Sequence, residues 1–157
     1  MNLSRRQTLQ SAGGLGLYGA LVAIGLAPAS VLAQGKAFDA AAFQAKTMAD
    51  AIKALGAGAP AESQDVVINS PDIAENGAVV PVGIRSSIPK TDFMALLVDK
   101  NPNALAGAYT LLEGAEAEVN MRIKMGQSSD VIAIVRADGK YYMARKEIKV
   151  TLGGCGG

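Results

Sequence analysis

Two hydrophobic periodicities divide the chain, and the first predicts a helix. From residue 34 to residue 58 apolar residues recur every three or four positions, as they do on one face of an α-helix. We expect a helix over 34–58 with Asp39 as its N-cap and with Gly56 and Gly58 at its end. We also expect its apolar stripe to pack against the rest of the domain. The stripe consists of Phe38, Ala42, Ala45, Met48, Ile52 and Leu55.

From Asp65 onward the apolar pattern changes to that of β-strands. Short segments with alternating or continuous apolar residues are separated by turn signals, among which Asp138-Gly139 is typical of a hairpin turn. Pro81 falls inside one segment and predicts an edge position or a bulge there. The pattern predicts about seven strands, at 66–68, 78–85, 93–98, 105–112, 115–124, 131–135 and 141–150.

This order of elements predicts a mainly β fold. No helical pattern lies between the strands, so the crossover connections of a parallel sheet are missing. We predict an immunoglobulin-like antiparallel β-sandwich of about seven strands over residues 65–152, preceded by the N-terminal helix. The chain lacks tryptophan and has a single cysteine, so it lacks the core hallmarks of antibody domains. A small β-barrel is the alternative architecture.

The first 33 residues have the pattern of an export signal. Arg5 and Arg6 precede an apolar stretch rich in glycine and alanine, and Val31-Leu32-Ala33 offers small residues to a signal peptidase. We predict a twin-arginine signal peptide, export to the bacterial periplasm and cleavage after Ala33, with cleavage after Ala29 as the alternative. A membrane anchor is disfavoured because the apolar run is shorter than the ~20 residues that span a bilayer.

Composition restricts the chemistry of the remaining 124 residues. The leader holds two of the 15 basic residues and none of the 14 acidic ones, so the rest carries a net charge of −1. A net charge so close to zero does not indicate a basic surface for nucleic acid or anionic lipid. The chain has no histidine, and one cysteine cannot build a zinc site or an internal disulfide. We therefore expect no metal, no cofactor and no catalysis by this chain alone.

The tail Gly153-Gly154-Cys155-Gly156-Gly157 contains the single thiol. Glycine has no side chain and accepts most backbone conformations, so we predict a flexible arm over 153–157. At ~3.3–3.6 Å per residue this arm extends the thiol ~10 Å beyond Leu152. No neighbour in the sequence would activate Cys155, so we expect activation to come from proteins that receive the arm.

Several segments together resemble the SoxY family of sulfur carriers. They are the leader, the segment Glu75-Asn76-Gly77-Ala78-Val79-Val80-Pro81-Val82, the Asn101-Pro102 turn and, most specifically, the Gly-Gly-Cys-Gly-Gly tail. The resemblance spans essentially the whole chain. It implies a sulfur-substrate carrier of periplasmic thiosulfate oxidation that is not itself an enzyme. In this family the cysteine that corresponds to Cys155 holds sulfur intermediates covalently.

The resemblance also implies partners. A SoxZ-like β-sandwich subunit would form a heterodimer with this chain. A c-type cytochrome pair, SoxXA, would couple thiosulfate to Cys155, the hydrolase SoxB would release sulfate, and SoxCD, where present, would oxidise the remaining sulfane sulfur. Because the twin-arginine route moves folded cargo and the sequence offers no cofactor site, we expect the partner subunit to be exported together with this chain.

Two other functions are compatible with parts of the pattern. A periplasmic β-sandwich binding protein would use Cys155 for an intermolecular disulfide, because exposed thiols oxidise readily in that compartment. A ubiquitin-like sulfur carrier also has a Gly-Gly tail, but it works in the cytoplasm, and the export signal argues against it.

Overall fold

The computed structural model describes residues 40–151. Two short helices, α1 (Ala40–Gln44) and α2 (Met48–Ala54), precede nine strands in this part of the chain. Seven of the strands are four residues or longer and correspond to the seven predicted ones, so the mainly β fold class is confirmed. The strands are β1 (Ala61–Glu62), β2 (Val66–Asn69), β3 (Ile73–Ala74), β4 (Val80–Ser86), β5 (Thr91–Val98), β6 (Leu105–Thr110), β7 (Glu118–Ile123), β8 (Ser129–Ala137) and β9 (Lys140–Val150).

The strands form two open sheets that pack face to face. The larger sheet has the order β1-β9-β8-β5-β6, and β3 also pairs with β9; the smaller sheet has the order β2-β4-β7. The long strands pair antiparallel, which confirms the immunoglobulin-like sandwich, and the open sheets exclude the barrel. The two-residue strands instead run parallel to β9: β1 lies in the connection between α2 and β2, and β3 lies in the connection between β2 and β4.

The centre of the larger sheet is buried on both faces. In β5, Met94 and Leu96 face the smaller sheet, whereas Ala95 and Leu97 face the helices. This double burial explains why β5 and β8 have continuous apolar sequences instead of alternating ones. The core between the two sheets contains Val66, Ile68, Val80, Val82, Ile84, Met94, Leu96, Val98, Val131, Val135 and Ile148.

The single helix predicted over 34–58 is divided into α1 and α2, and Asp39 lies outside the described residues. At the break, the Ala45 carbonyl accepts a hydrogen bond from the Ala104 N–H at 3.0 Å, which ties the backbone to the sheet. Thr47 is extended and caps α2 by accepting a hydrogen bond from the Asp50 N–H at 3.1 Å. The predicted packing of the stripe is confirmed for its described members, which contact the outer face of the larger sheet: Ala42, Ala45, Met48, Ile52 and Leu55.

Two local predictions have different outcomes. Asp138 and Gly139 have φ values of 50° and 75° and close the β8–β9 hairpin, as predicted for an Asp-Gly turn. The edge position predicted at Pro81 is confirmed locally, although β4 is the middle strand of its sheet, whereas the alternative of a bulge is wrong because the register with β7 is continuous. The proline is tolerated because β2 ends opposite Gly83, so Pro81 pairs only with β7.

Candidate functional site

The predicted reactive residue and its glycines lie outside the described residues, as do the leader and its cleavage position at Ala33. This applies to Cys155 and to Gly153, Gly154, Gly156 and Gly157. The structure describes the residues from which the tail continues. Strand β9 runs to Val150, and Thr151 is the last described residue. The candidate site is therefore built from the residues that hold Thr151, four positions before the thiol.

Hydrogen bonds from β3 and its neighbouring residues hold one side of the end of β9. The Lys149 N–H donates a hydrogen bond to the Asp72 carbonyl at 2.9 Å, and the Thr151 N–H donates to the Ala74 carbonyl at 3.1 Å. The Thr151 hydroxyl also donates to the Glu75 carbonyl at 3.3 Å. The backbone is thereby held by a ladder of hydrogen bonds up to the last described residue.

The β7–β8 connection fastens the other side. The Val150 N–H donates to the Ser128 hydroxyl at 2.9 Å, and the Met125 N–H donates to the Gly77 carbonyl at 2.7 Å. A Cβ atom at Gly77 would collide with the Met125 carbonyl oxygen and would lie 2.8 Å from Cγ1 of Val150. Glycine is required here because two backbones and the end of β9 meet at this point.

Two asparagines shape the loops around the end of β9. The Asn76 Oδ1 accepts a hydrogen bond from the Ala78 N–H at 2.9 Å, which closes a local turn. The Asn101 Nδ2 donates to the Lys124 carbonyl at 2.8 Å and so joins the β5–β6 loop to the β7–β8 connection. Two of the segments that carry the family resemblance lie in the described part of the chain: Glu75–Val82 contacts Met125 and the end of β9, and Asn101 is hydrogen-bonded to the same β7–β8 connection. We call residues 72–79, 124–128 and 149–151 the arm root.

A partly buried lysine of β9 holds the chain that leads into β3. The Lys146 ammonium donates to the Ser70 carbonyl at 2.6 Å and pairs with the Asp72 carboxylate at 3.0 Å. The Lys146 side chain is 28% exposed, whereas that of Asp72 is 87% exposed, so only the lysine end of this pair is shielded from water. The contact fixes the position at which the 72–79 connection reaches the edge of β9.

The surface of the arm root combines apolar and charged side chains. Ile73 of β3 and Val79, which lies before β4, are 56% and 50% exposed. The arm root also contains four exposed charged residues, whose two carboxylates balance their two ammonium groups: Asp72, Glu75, Lys124 and Lys149.

Sequence reasoning identified part of the arm root and missed the rest. It identified the Glu75–Val82 segment and the tail, but it did not detect Ser128, Lys146 or Thr151, whose partners are distant in sequence. Ile73 lies in a two-residue strand, which is too short to give an alternating pattern. The available signal was an isoleucine between Asp72 and Ala74 in a stretch with no predicted strand.

Other features of residues 40–151 lie away from the arm root. These residues contain no group of three His, Cys, Asp or Glu side chains that would hold a metal ion. Within the same range, neither helix is long and apolar enough to cross a membrane. Two open depressions, of about 480 Å³ beside Pro81 and about 550 Å³ beside Leu112, are lined by residues outside the arm root.

Comparisons with known proteins place these features in context. The family model described as "Sulfur oxidation protein SoxY" matches residues 52–155 and so includes Cys155. The sulfur carrier protein SoxY from Chlorobium limicola f thiosulfatophilum is 33% identical, with a TM-score of 0.59 over 66% of this chain and 96% of that chain. The superoxide reductase (neelaredoxin) from Ignicoccus hospitalis is 19% identical, with a TM-score of 0.50 over 56% of this chain and 81% of that chain. This likeness shows the fold alone. A search among curated proteins gives no match.

Proposed function

The chain belongs to the SoxY family, whose members are sulfur carriers of sulfur oxidation and not catalysts, and from this premise we propose that it carries thiosulfate-derived sulfur on Cys155. The observation that supports this proposal most strongly is the arm root. Hydrogen bonds from two sides hold the backbone up to Thr151, and the chain's one thiol follows four residues later. A fixed base below a glycine-flanked thiol is the arrangement that a carrier needs.

The proposed chemistry begins with an oxidative coupling. The Cys155 thiol and the outer sulfur of thiosulfate form a disulfide bond, one proton is released, and two electrons pass to c-type cytochromes of the SoxXA kind. The product is Cys–S–S–SO₃⁻. A SoxB-type hydrolase then adds water across the bond between the sulfane sulfur and the sulfonate, which releases sulfate and two protons and leaves Cys–S–S⁻. Sulfur nucleophiles form and exchange such bonds, whereas a serine hydroxyl does not.

The cycle then returns the thiol. A SoxCD-type enzyme, where present, oxidises the terminal sulfur of Cys–S–S⁻ with three water molecules, and six protons and six electrons leave. A second hydrolysis of the resulting Cys–S–SO₃⁻ by water releases sulfate and one proton and regenerates the Cys155 thiol. In each step the partner enzyme supplies the catalysis, and this chain supplies the attachment point.

The arm sequence suits this exchange between enzymes. Cys155 lies four positions after Thr151, which corresponds to a maximum Cα reach of about 13–14 Å. The glycines at 153, 154, 156 and 157 add no side chains, so a narrow active-site channel would admit the chain on both sides of the thiol. Lengthening the side chains around the thiol would obstruct entry without affecting the sandwich.

We further propose a periplasmic location and a heterodimer with a SoxZ-like subunit. The twin-arginine pattern of the leader and membership of the SoxY family support both. We expect cleavage after Ala33, so that the exported protein begins at Gln34. Changing Arg5→Lys together with Arg6→Lys should leave the protein in the cytoplasm, as measured by fractionation and immunoblotting. Normal export of that variant would contradict the twin-arginine route.

The deciding experiment compares the native heterodimer with its Cys155→Ser variant. After incubation with thiosulfate and the cytochrome, intact-protein mass spectrometry should show sulfur-containing increments on the C-terminal peptide of the native chain only. Thiosulfate-dependent cytochrome reduction should fall to background with the variant, while the heterodimer stays intact on size exclusion. A covalent dimer without sulfur increments would instead favour the disulfide-forming binding protein. Normal cytochrome reduction by Cys155→Ser would contradict the carrier function.

A further inference from the structure

Strand β7 leaves one complete edge of the smaller sheet open. It is the last strand of that sheet, and all six of its residues keep a continuous register with β4. The Ser86 N–H donates to the Ala117 carbonyl at 2.9 Å, so the odd-numbered residues of this segment bond to β4. The backbone groups of Glu118, Asn120 and Arg122 therefore point away from the sheet. In the described part of the chain, no backbone hydrogen bond from outside the sheet reaches Asn120 or Arg122.

The other edge strands are shorter or irregular. Strand β2 has four residues, and β1 and β3 have two each. Strand β6 has six residues, but its register with β5 shifts between Leu96 and Leu97, and such an irregularity protects an edge from pairing. Strand β7 contains neither a bulge nor a proline. It is the longest regular free edge among the described strands, and a free edge of this kind is a template for another strand.

The outer side chains of β7 complement a second copy of the same strand. Glu118 lies two positions before Asn120 and Arg122 two positions after it, and all three are exposed on one face. If two copies of β7 pair antiparallel about a two-fold axis at Asn120, Glu118 of each copy lies opposite Arg122 of the other. Opposite charges at such positions, with Cα atoms about 5.5 Å apart, stabilise strand pairing. Arg122 forms no ion pair with the described residues, so its guanidinium is available.

Glu118 has neighbours in its own chain but retains the capacity for another. Its carboxylate lies 3.7 Å from Nε of Arg85 and accepts a hydrogen bond from Nδ2 of Asn120 at 3.0 Å. Arg85 is shared with Glu116 at 3.8 Å, so neither contact is a close ion pair. A carboxylate accepts about four hydrogen bonds, which leaves room for a second guanidinium. The Glu118 N–H already donates to the Glu116 carbonyl at 2.9 Å, so strand pairing would use the backbone of Asn120, the Arg122 N–H and the Glu118 carbonyl.

The inner face of β7 adds apolar contacts. Val119 and Met121 pack against the core but are only partly buried. Tyr109 of β6 is 39% exposed and lies next to them, since a Cβ atom at Gly107 would be 3.2 Å from the tyrosine ring and 3.6 Å from the Met121 sulfur. Pairing about Asn120 places Val119 of each copy opposite Met121 of the other, which removes both side chains from water.

We propose that a second copy of this chain pairs with β7, so that the two smaller sheets become one continuous sheet in a symmetric dimer. Lys124 of the arm root lies four positions after Asn120, so strand spacing puts the two copies of Lys124 about 27 Å apart, at opposite ends of the pair. The contact does not involve Cys155. The inference therefore goes beyond the carrier function and does not depend on it.

The test is sedimentation velocity of the complete heterodimer under reducing conditions, over a range of concentrations. The native protein should associate into particles that contain two copies of this chain. Arg122→Glu sets like charges against Glu118 of the other copy and should raise the dissociation constant at least about tenfold, and Glu118→Lys should do the same. An equimolar mixture of the two variants should associate like the native protein, because opposite charges face each other again. Lys140→Glu makes the same change of charge at an exposed site away from β7 and should have no effect.

A backbone variant tests the strand pairing itself. Asn120→Pro removes an N–H that points away from β4, so the sheet should stay folded and the two copies should separate. Association of folded Asn120→Pro at native strength would overturn the proposal, and so would an unchanged dissociation constant for Arg122→Glu. The charge variants and their mixture decide the question if the proline variant does not fold.

The same samples separate this proposal from other uses of β7. If Arg122→Glu loses the SoxZ-like subunit on size exclusion, the edge binds that subunit and the proposal is wrong. A mixture of the two charge variants that stays apart would also contradict it. Cys155→Ser should dimerise like the native chain and carry no sulfur, so a failure of the dimer and a failure of the carrier function give different results.

Discussion

The two ends of the sandwich are built differently: the end that contains the Asp138-Gly139 turn has tight turns with positive φ angles and charged side-chain pairs, whereas at the arm root distant segments hold the end of a strand through backbone hydrogen bonds. We call residues 87–90, 111–117 and 138–139 the far end. There, Lys90 and Asp138 adopt positive φ angles within tight turns. At the arm root, the Thr151 hydroxyl binds the carbonyl of Glu75, 76 residues earlier. The end that precedes the tail is thus held by tertiary contacts, and its geometry depends on the whole domain being folded.

The two ends also use different forces. Near the far end the Arg136 guanidinium donates two hydrogen bonds to the Asp92 carboxylate, at 2.8 and 2.9 Å, and lies over the rings of Phe93 and Tyr141. The hydrogen bond to Asp92 raises the pKa of Arg136 above its ordinary value. The arm root relies mainly on neutral backbone hydrogen bonds and close packing. Substitutions at the two ends should therefore differ in what they change.

The largest effect is expected at Gly77 of the arm root. Gly77→Ala would place a methyl group against the Met125 carbonyl and Cγ1 of Val150, and backbone must move to accommodate it. We expect the free energy of unfolding to fall by about 3 kcal/mol, as measured by urea denaturation. Gly139→Ala at the far end is the control, because it has open space and only a positive φ, and it should cost about 1 kcal/mol. Equal losses would mean that the crowding at Gly77 relaxes easily.

The next effect is expected at the far end. Arg136→Met should lower the free energy of unfolding by about 2 kcal/mol, because a bidentate ion pair and two ring contacts are lost. Lys90→Met is the control, since its pair with Asp138 is 3.9 Å long and both side chains are 77% exposed, and it should change stability by less than about 0.5 kcal/mol. Sulfur loading of Cys155 should be normal in both variants below their melting temperatures. Defective loading in folded Arg136→Met would contradict the separation of the two ends.

A smaller effect is expected when the lysine behind the arm root is replaced. Lys146→Met removes the hydrogen bond to the Ser70 carbonyl and the pair with Asp72, and it should cost about 1 kcal/mol. Amide hydrogen exchange at Lys149 and Thr151 should accelerate, because their acceptors lie on the loosened connection. Arg145→Met on the neighbouring, exposed side of β9 is the matched control and should leave these amides unchanged. Equal exchange rates in the two variants would show that Lys146 does not hold the arm root.

The smallest effect concerns the hydroxyl of the last described residue. Thr151→Val retains the shape and the backbone hydrogen bond to Ala74 but removes the hydroxyl contact with Glu75, which is long at 3.3 Å. We expect a loss of at most about 0.5 kcal/mol in thermal or chemical unfolding. Thr151→Ser preserves the hydroxyl and should match the native chain. A loss above 1 kcal/mol for valine would make this single contact the main fastening of the arm root.

The sequence predicted those parts of the fold whose signal is local. The seven longer strands follow from alternating or continuous apolar segments, and the Asp138-Gly139 turn follows from the preference of those residues for positive φ. The break between α1 and α2 was not predictable, because it depends on Ala104, which is 59 residues beyond Ala45. The position of Pro81 in a middle strand depends on where a neighbouring strand ends, and no feature of Pro81's own surroundings shows that.

The candidate site, like the fold, was predictable from the sequence only where its signal is local. The Glu75–Val82 segment and the tail were identified from their residues, and the structure connects that segment to the end of β9 through Gly77. Ser128 and Lys146 each act through one polar side chain that bonds to a distant segment. Serine and lysine are common at strand ends and edges, so the sequence does not distinguish these two. Their partners are fixed only once the two sheets have packed.

If Cys155 carries sulfur as proposed, the hydrogen-bonded end of β9 has a consequence for how tightly partner enzymes must bind. Because the backbone is held up to Thr151, a thiol four residues farther on is confined to a hemisphere of about 14 Å radius. A single group in that volume has an average effective concentration on the order of 0.1 M once an enzyme has docked. The domain itself can circulate at micromolar concentration and still present its thiol to the active site at a far higher one. Brief, weak encounters are then sufficient for each transfer, and a carrier that must visit several enzymes in turn also has to leave each of them quickly.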